Sequence, residues 1–204
     1  MEFGTSTRTR FAPRERDADP LVIETQRKAA ELLDDHKVMI PDFPLQGVRY
    51  LDFYRTFDRN PAVRAAALDC LEARYADHDI DAIAGVGGGG FGLGACLAHA
   101  LGIPFHPIRK ASDTVYDALS TSVGMVYAER QLTLASDIVT ENEKVVLVDD
   151  TVATGGTSLG ALDLLRRAGA DVVEVATLFE TTSKDGRNAL APTPLFAILS
   201  RAHF

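Results

Sequence analysis

The chain has 204 residues, 46% of them hydrophobic and 25% charged, with a formal net charge of −8. That size and composition suit one sizeable globular domain, while the acidic balance and the lack of a basic run exclude a nucleic-acid surface. No apolar run approaches the ~20 residues of a membrane span, and Cys70 and Cys96, each in an apolar segment, are expected as reduced thiols of a cytoplasmic protein.

Residues 1–20, MEFGTSTRTRFAPRERDADP, are polar, lack the apolar core of a signal peptide and predict a flexible tail. A helix is predicted over 21–38, with Val22, Ala29, Ala30, Leu32, Leu33 and Val38 as its buried side. MIPDFPLQGVRY breaks it with two prolines and a glycine. Asn60 followed by Pro61 reads as the cap and first turn of a helix whose apolar face carries Val63, Ala67, Cys70 and Leu71. A strand near 80–86 enters four glycines, Gly87 to Gly90, and a helix then runs to Leu101. IPFHPIRK reads as a short strand ending in Arg109 and Lys110, residues 111–121 as a small, polar, mobile loop, and TSVGMVYAERQLTLASD as a strand pair. Strands near 171–179 and 195–200 flank the turn TTSKDGRNALAPTP. Strands alternating with helices imply an α/β fold, a parallel sheet covered on both faces. Residues 21–204 form one domain in this reading, and the histidines at 36, 78, 99, 106 and 203 have no metal spacing.

The most informative stretch is VVLVDDTVATGGTSLG, residues 145–160. Val145, Val146, Leu147 and Val148 are apolar without alternation, as in a strand buried on both faces. Asp149 and Asp150 would sit where that strand leaves the sheet, the end at which α/β folds bind ligands. Two adjacent carboxylates repel, so sugar hydroxyls, a cation or both must offset them. Thr154, Gly155, Gly156 and Thr157 offer backbone N–H groups at close approach. The following helix, with Leu159, Leu162 and Leu165 as its stripe, Leu164 beside it and Thr157 or Ser158 as its cap, adds the positive end of a dipole. Hydroxyl acceptors beside a phosphate cradle match a ribose 5-phosphate.

This segment resembles the phosphoribosyl-diphosphate (PRPP) binding motif of the type I phosphoribosyltransferases. The resemblance covers nearly all of the chain after residue 20 and is strongest to the adenine-specific subgroup, through PDFPLQGV at 41–48, IRK at 108–110, VVLVDDTVATGGT and FETTSKDGRNALAPTPLF at 179–196. It implies a twisted parallel sheet of about five strands with helices on both faces, a small N-terminal hood over residues 21–60, and a homodimer. It places Asp149 and Asp150 on the ribose hydroxyls, near Mg²⁺ carried by PRPP, and assigns no direct metal ligand to the protein. Ala153, Thr154, Gly155, Gly156 and Thr157 would hold the 5-phosphate. Gly87, Gly88, Gly89, Arg109 and Lys110 would face pyrophosphate. Val48, Arg49, Tyr50 and Leu51 would line the base site, with Tyr50 and Phe43 either stacking on the base or packing the hood. Tyr127 and Glu129 would join the acidic pair at the reaction centre. Lys184 and Arg187 would orient a C-terminal turn or a dimer contact.

Three departures stand out. The family's pyrophosphate loop carries an arginine where this chain has Gly89. The subgroup's hood arginine is replaced by Leu51, with Arg49 two residues earlier. The residue before Tyr127 is Val126 rather than an acid, and Glu129 is the nearest carboxylate. Alternation in an extended hood puts Arg49 and Leu51 on one face, and a guanidinium there prefers an oxo or acidic substituent. The expected activity is therefore transfer of the phosphoribosyl group from PRPP to a modified purine or deazapurine. Plain adenine salvage and a PRPP-sensing regulator without turnover are the alternatives.

Overall fold

A computed structural model describes residues 8–43, 45–113, 117–124 and 129–204. Its first elements are α1 (Pro13–Asp17), α2 (Pro20–His36), a hairpin of β1 (Met39–Pro41) and β2 (Arg49–Leu51), a π-helical turn (Tyr54–Asp58) and α3 (Pro61–Tyr75). Then come β3 (Ala82–Val86), α4 (Gly89–Leu101), β4 (Phe105–Lys110), a 3₁₀ turn (Ala111–Asp113), β5 (Ala118–Gly124) and β6 (Glu129–Ala135). The chain closes with β7 (Lys144–Val152), α5 (Gly156–Arg167), β8 (Asp171–Thr181), a 3₁₀ turn (Thr182–Lys184), α6 (Gly186–Ala189) and β9 (Leu195–Arg201).

Local chemistry sets the helix starts. Asp19 accepts hydrogen bonds from the Leu21 and Val22 amides ahead of α2, and Asn60 does the same for Ala62 and Val63 ahead of α3. Each cap precedes a proline whose ring fixes the first helical φ. The predicted helix over 21–38 ends earlier, at His36, because Val38 turns away to donate its amide to Thr56 Oγ1 at 2.9 Å.

The main sheet has seven strands in the order β5-β6-β4-β3-β7-β8-β9, not five. The parallel part, β4-β3-β7-β8-β9, has the expected five. The predicted strand pair supplies the other two, with β6 antiparallel to β4 through Arg109↔Thr133 and Lys110↔Leu132. The last four residues of the stretch expected as a mobile loop, 118–121, belong to this edge, since β5 begins at Ala118.

Alternation along β7 divides the core. Val146 and Val148 join Ala176, Leu178, Leu71, Cys70 and Leu93 beneath α2, α3 and α4. Val145 and Leu147 join Val175, Leu162, Leu165 and Val123 beneath α5. Each such buried aliphatic side chain contributes roughly 1.5–3 kcal/mol. On α5 the buried stripe is Ala161, Leu162, Leu164 and Leu165; Leu159, expected within it, is exposed.

A β-bulge disturbs β8. Val145 pairs with Val172 but Val146 with Glu174, so Val173 is the extra residue and Glu174 turns to the α3 side. There it is fully buried. Arg74 donates to both its oxygens, from Nε at 2.6 Å and from Nη2 at 2.7 Å, and the Tyr75 hydroxyl donates to Oε2 at 2.6 Å. The guanidinium lies 4.0 Å from the Phe196 ring centroid and reaches Asp17 at 2.9 Å. The N-terminal stretch is therefore not a free tail from Arg8 onward. Thr9 bridges to His78, Phe11 is buried against Tyr75, and Arg16 donates to the Arg74 carbonyl.

Candidate active site

The acidic pair lies inside the sheet edge rather than beyond it. β7 continues to Val152 because β8 runs alongside, with Asp149 opposite Thr177 and Val152 opposite Glu180. Asp149 is buried, Asp150 half-buried, and the Asp150 amide donates to Asp149 Oδ1 at 2.9 Å. Burial pushes the Asp149 carboxyl well above the ordinary aspartate range, with the neighbouring Asp150 charge adding to it; burial raises Asp150 as well.

Such a pair opposes folding once it ionises. The folded state holds these protons more tightly than the unfolded chain does, so the stabilisation is complete below the ordinary aspartate range near 3.8 and is lost as pH rises through the raised pKa values. Asp149→Asn keeps the Oδ1 acceptor and removes the charge. Its melting temperature should exceed that of the native chain, by more at pH 7 than at pH 4. A melting point that drops equally at both pH values would refute the burial argument.

The glycine loop closes onto the same carboxylates. The Gly87 amide donates to the Ile108 carbonyl at 2.8 Å, so β4 holds it. Gly88 has φ +101, a conformation that a side chain resists, and it starts α4 with no side-chain cap. A Cβ on Gly89 would lie 2.5 Å from Asp150 Cβ and 2.6 Å from its Cγ, and one on Gly90 2.6 Å from the Val148 carbonyl oxygen. The sequence marks these glycines as an anion cradle but gives no sign that Gly89 is the wall against which Asp150 rests. Beside the loop, the Arg109 guanidinium sits 5.7 Å from the Phe91 ring centroid, and its buried Nε has no hydrogen-bond partner among the described residues. Lys110 is exposed at the end of β4.

The second cradle follows Asp150. Gly155, at φ +80, is the residue before α5, and no side chain caps that helix. The expected caps, Thr157 and Ser158, are instead its second and third residues. The first-turn amides of Gly156, Thr157 and Ser158 thus remain open to an anion, with Ala153 half-buried and Thr154 exposed ahead of them.

The hood adjoins the glycine loop: a Cβ on Gly92 would lie 3.6 Å from Asp58 Oδ1 and 3.7 Å from the Phe53 ring. Leu51 is buried in the core, whereas Arg49 is exposed at the far end of β2. The two do not make one polar wall, which removes the basis for a guanidinium-lined pocket. Tyr50 packs edge-on against Phe43 at 5.1 Å, both rings being exposed, and the Val48 carbonyl accepts from the Phe43 amide. Glu129 opens β6 opposite Gly124; Tyr127 lies outside the described residues. Arg187 forks onto the buried Glu180 at 2.8 and 2.6 Å, orienting the C-terminal turn as expected.

Two uncapped helix starts flanking a buried acidic pair can bind a doubly anionic sugar. Comparison with known proteins points the same way. The Phosphoribosyl transferase domain family matches residues 54–192. An adenine phosphoribosyltransferase of Salinispora tropica is 35% identical over 178 residues, covering 87% of this chain and 94% of that protein. The crystal structure of an adenine phosphoribosyltransferase from Rhodothermus marinus superposes with a TM-score of 0.79 at 31% identity, covering 86% of this chain and 99% of the other. The Saccharomyces cerevisiae adenine phosphoribosyltransferase, complexed with an imino-altritol bisphosphate and adenine, gives 0.78 at 29% identity over 85% and 99%.

Proposed function

The chain belongs to the phosphoribosyl transferase family, a pentosyltransferase closest to the adenine phosphoribosyltransferases, and from that premise we propose that it transfers the 5-phosphoribosyl group of PRPP to adenine, giving AMP and pyrophosphate. The observation that carries this reading is the buried Asp149–Asp150 pair set between the uncapped starts of α4 and α5. In this reading Asp149 and Asp150 accept hydrogen bonds from the ribose hydroxyls, and the amides of residues 156–158 hold the 5-phosphate. Arg109 and the glycine loop face the diphosphate. Adenine N9 attacks C1 of the ribose as the bond to the diphosphate oxygen breaks; the electron pair leaves with pyrophosphate, and the imidazole-ring proton of the base passes to solvent. Positioning and stabilisation of that developing charge supply the rate.

The acidic pair also fits Mg²⁺. Among the described residues no third His, Cys, Asp or Glu groups with it, so the donor set suits a cation that arrives with the oxygens of PRPP. Bound there, Mg²⁺ would offset negative charge on the leaving diphosphate. A cytoplasmic homodimer accords with the same reading.

Adenine replaces the oxo-substituted or modified base expected from the hood. That expectation needed Arg49 and Leu51 to share a pocket, and Leu51 is core. The related proteins named above are all adenine enzymes. Steady-state kinetics with PRPP, Mg²⁺ and a base panel test this. Adenine should exceed 6-oxopurines and 7-substituted deazapurines by at least about 100-fold in kcat/KM, roughly 2.7 kcal/mol of discrimination. An oxopurine or deazapurine in first place would overturn adenine as the base. PRPP binding without turnover of any base would identify a sensor instead.

A further inference from the structure

The turn that starts α6 presses on the loop read above as the 5-phosphate cradle. A Cβ on Gly186 would meet the Ala153 carbonyl oxygen far inside the 3.0 Å that real Cβ atoms respect, and Val152 Cγ1 at 2.9 Å. Reciprocally, a Cβ on Gly155 would lie 3.1 Å from the Gly186 carbonyl oxygen and 3.6 Å from Leu190 Cγ. Two glycines thus let the backbones of two segments touch without side chains between them. The Gly186 side of this contact is anchored. Arg187 Nε and Nη2 bond both oxygens of Glu180, and Ser200 Oγ donates to Glu180 Oε2 at 2.7 Å. Glu180 is nearly inaccessible and pairs across the strands with Val152, the residue that enters the loop. Burial raises its carboxyl but Arg187 and Ser200 outweigh this, and it stays below its ordinary value.

We propose that Gly186, braced by the Arg187–Glu180 fork, is a positioning residue for the 5-phosphate loop: it sets where Ala153 to Gly156 stand and so the aim of the α5 amides. The role rests on the reading that this loop takes the 5-phosphate of PRPP. A side chain at 186 pushes the loop off its place without touching the base site.

Gly186→Ala should raise KM for PRPP about tenfold, the size expected of a tight overpacking. KM for adenine at saturating PRPP should stay within about twofold, since only the phosphate end is displaced. Calorimetry with ribose 5-phosphate should show the same loss of affinity. Glu180→Gln, which leaves the glycine in place and weakens the fork, should shift both readouts in the same direction by a smaller factor. The assignment is overturned if ribose 5-phosphate affinity and KM for PRPP are unchanged in both variants, or if KM for PRPP and for adenine rise together in step with a lower melting temperature. A native chain that binds neither ribose 5-phosphate nor PRPP would instead remove the phosphate-loop reading itself, and this role with it.

Discussion

Gly89→Arg should lower kcat/KM for PRPP about tenfold or more, although the family resemblance leads one to expect an arginine at this place. The expectation follows from the first atom of the new side chain. A Cβ at 89 would stand 2.5 Å from Asp150 Cβ and 2.9 Å from Oδ1. Relieving that overlap requires moving the carboxylate that is read as a ribose partner, or opening the first turn of α4. Overpacking of this kind costs typically 1–3 kcal/mol, which is roughly 5- to 150-fold when levied on the binding-competent state. Gly89→Ala should share most of the defect, because the conflict begins at Cβ. Kinetics with PRPP varied at saturating adenine check this, and a gain in turnover from Gly89→Arg would show that the loop readily opens to admit a guanidinium.

Glu174→Ala should be the most destabilising of these substitutions. It leaves the Arg74 guanidinium buried, with Asp17 as its remaining carboxylate partner, and removes the acceptor of the Tyr75 hydroxyl. Breaking a buried ion pair from one side costs about 3–5 kcal/mol. For a chain of this length, each kcal/mol lowers Tm by roughly 2–4 °C. Urea and thermal unfolding measure the loss. The triple variant Arg74→Met, Tyr75→Phe and Glu174→Leu should recover most of it, because apolar residues of similar volume need no partner and the Tyr75 hydroxyl, whose acceptor is lost, is removed as well. A single-variant loss under about 1 kcal/mol would mean that water reaches the pair.

The contrast between these two sites shows what a sequence discloses. Val145–Thr157 was legible because each component is local: an apolar run, two acids and a glycine loop in one order. The partners of Gly89 were not, since Asp150 is 61 positions away (150 minus 89) and nothing near Gly89 signals the contact. Glu174 looks like a surface acid in a strand; a bulge at Val173 and an arginine 100 positions earlier put it in the core. Phe11 gives no periodicity within a polar stretch, yet one aromatic side chain suffices to dock the segment on Tyr75 and His78. The strand count missed β5 and β6 for a similar reason. The hairpin was readable, but its pairing with β4 is a long-range match that no local pattern states.

The Arg74–Glu174 pair also bears on the order in which a nascent chain takes shape. Translation adds ~5–20 residues per second, so Arg74 waits about 5–20 s for the residue 100 places behind it. Until β8 emerges, closing the sheet face beneath α3 would bury the Arg74 cation with the largely exposed Asp17 as its carboxylate partner, at a cost of several kcal/mol. That face is therefore expected to stay open to water until β8 is made, and the docking of Arg8 to Asp17 onto α3 should wait with it. A segment synthesised well before β8 would thus settle only after it.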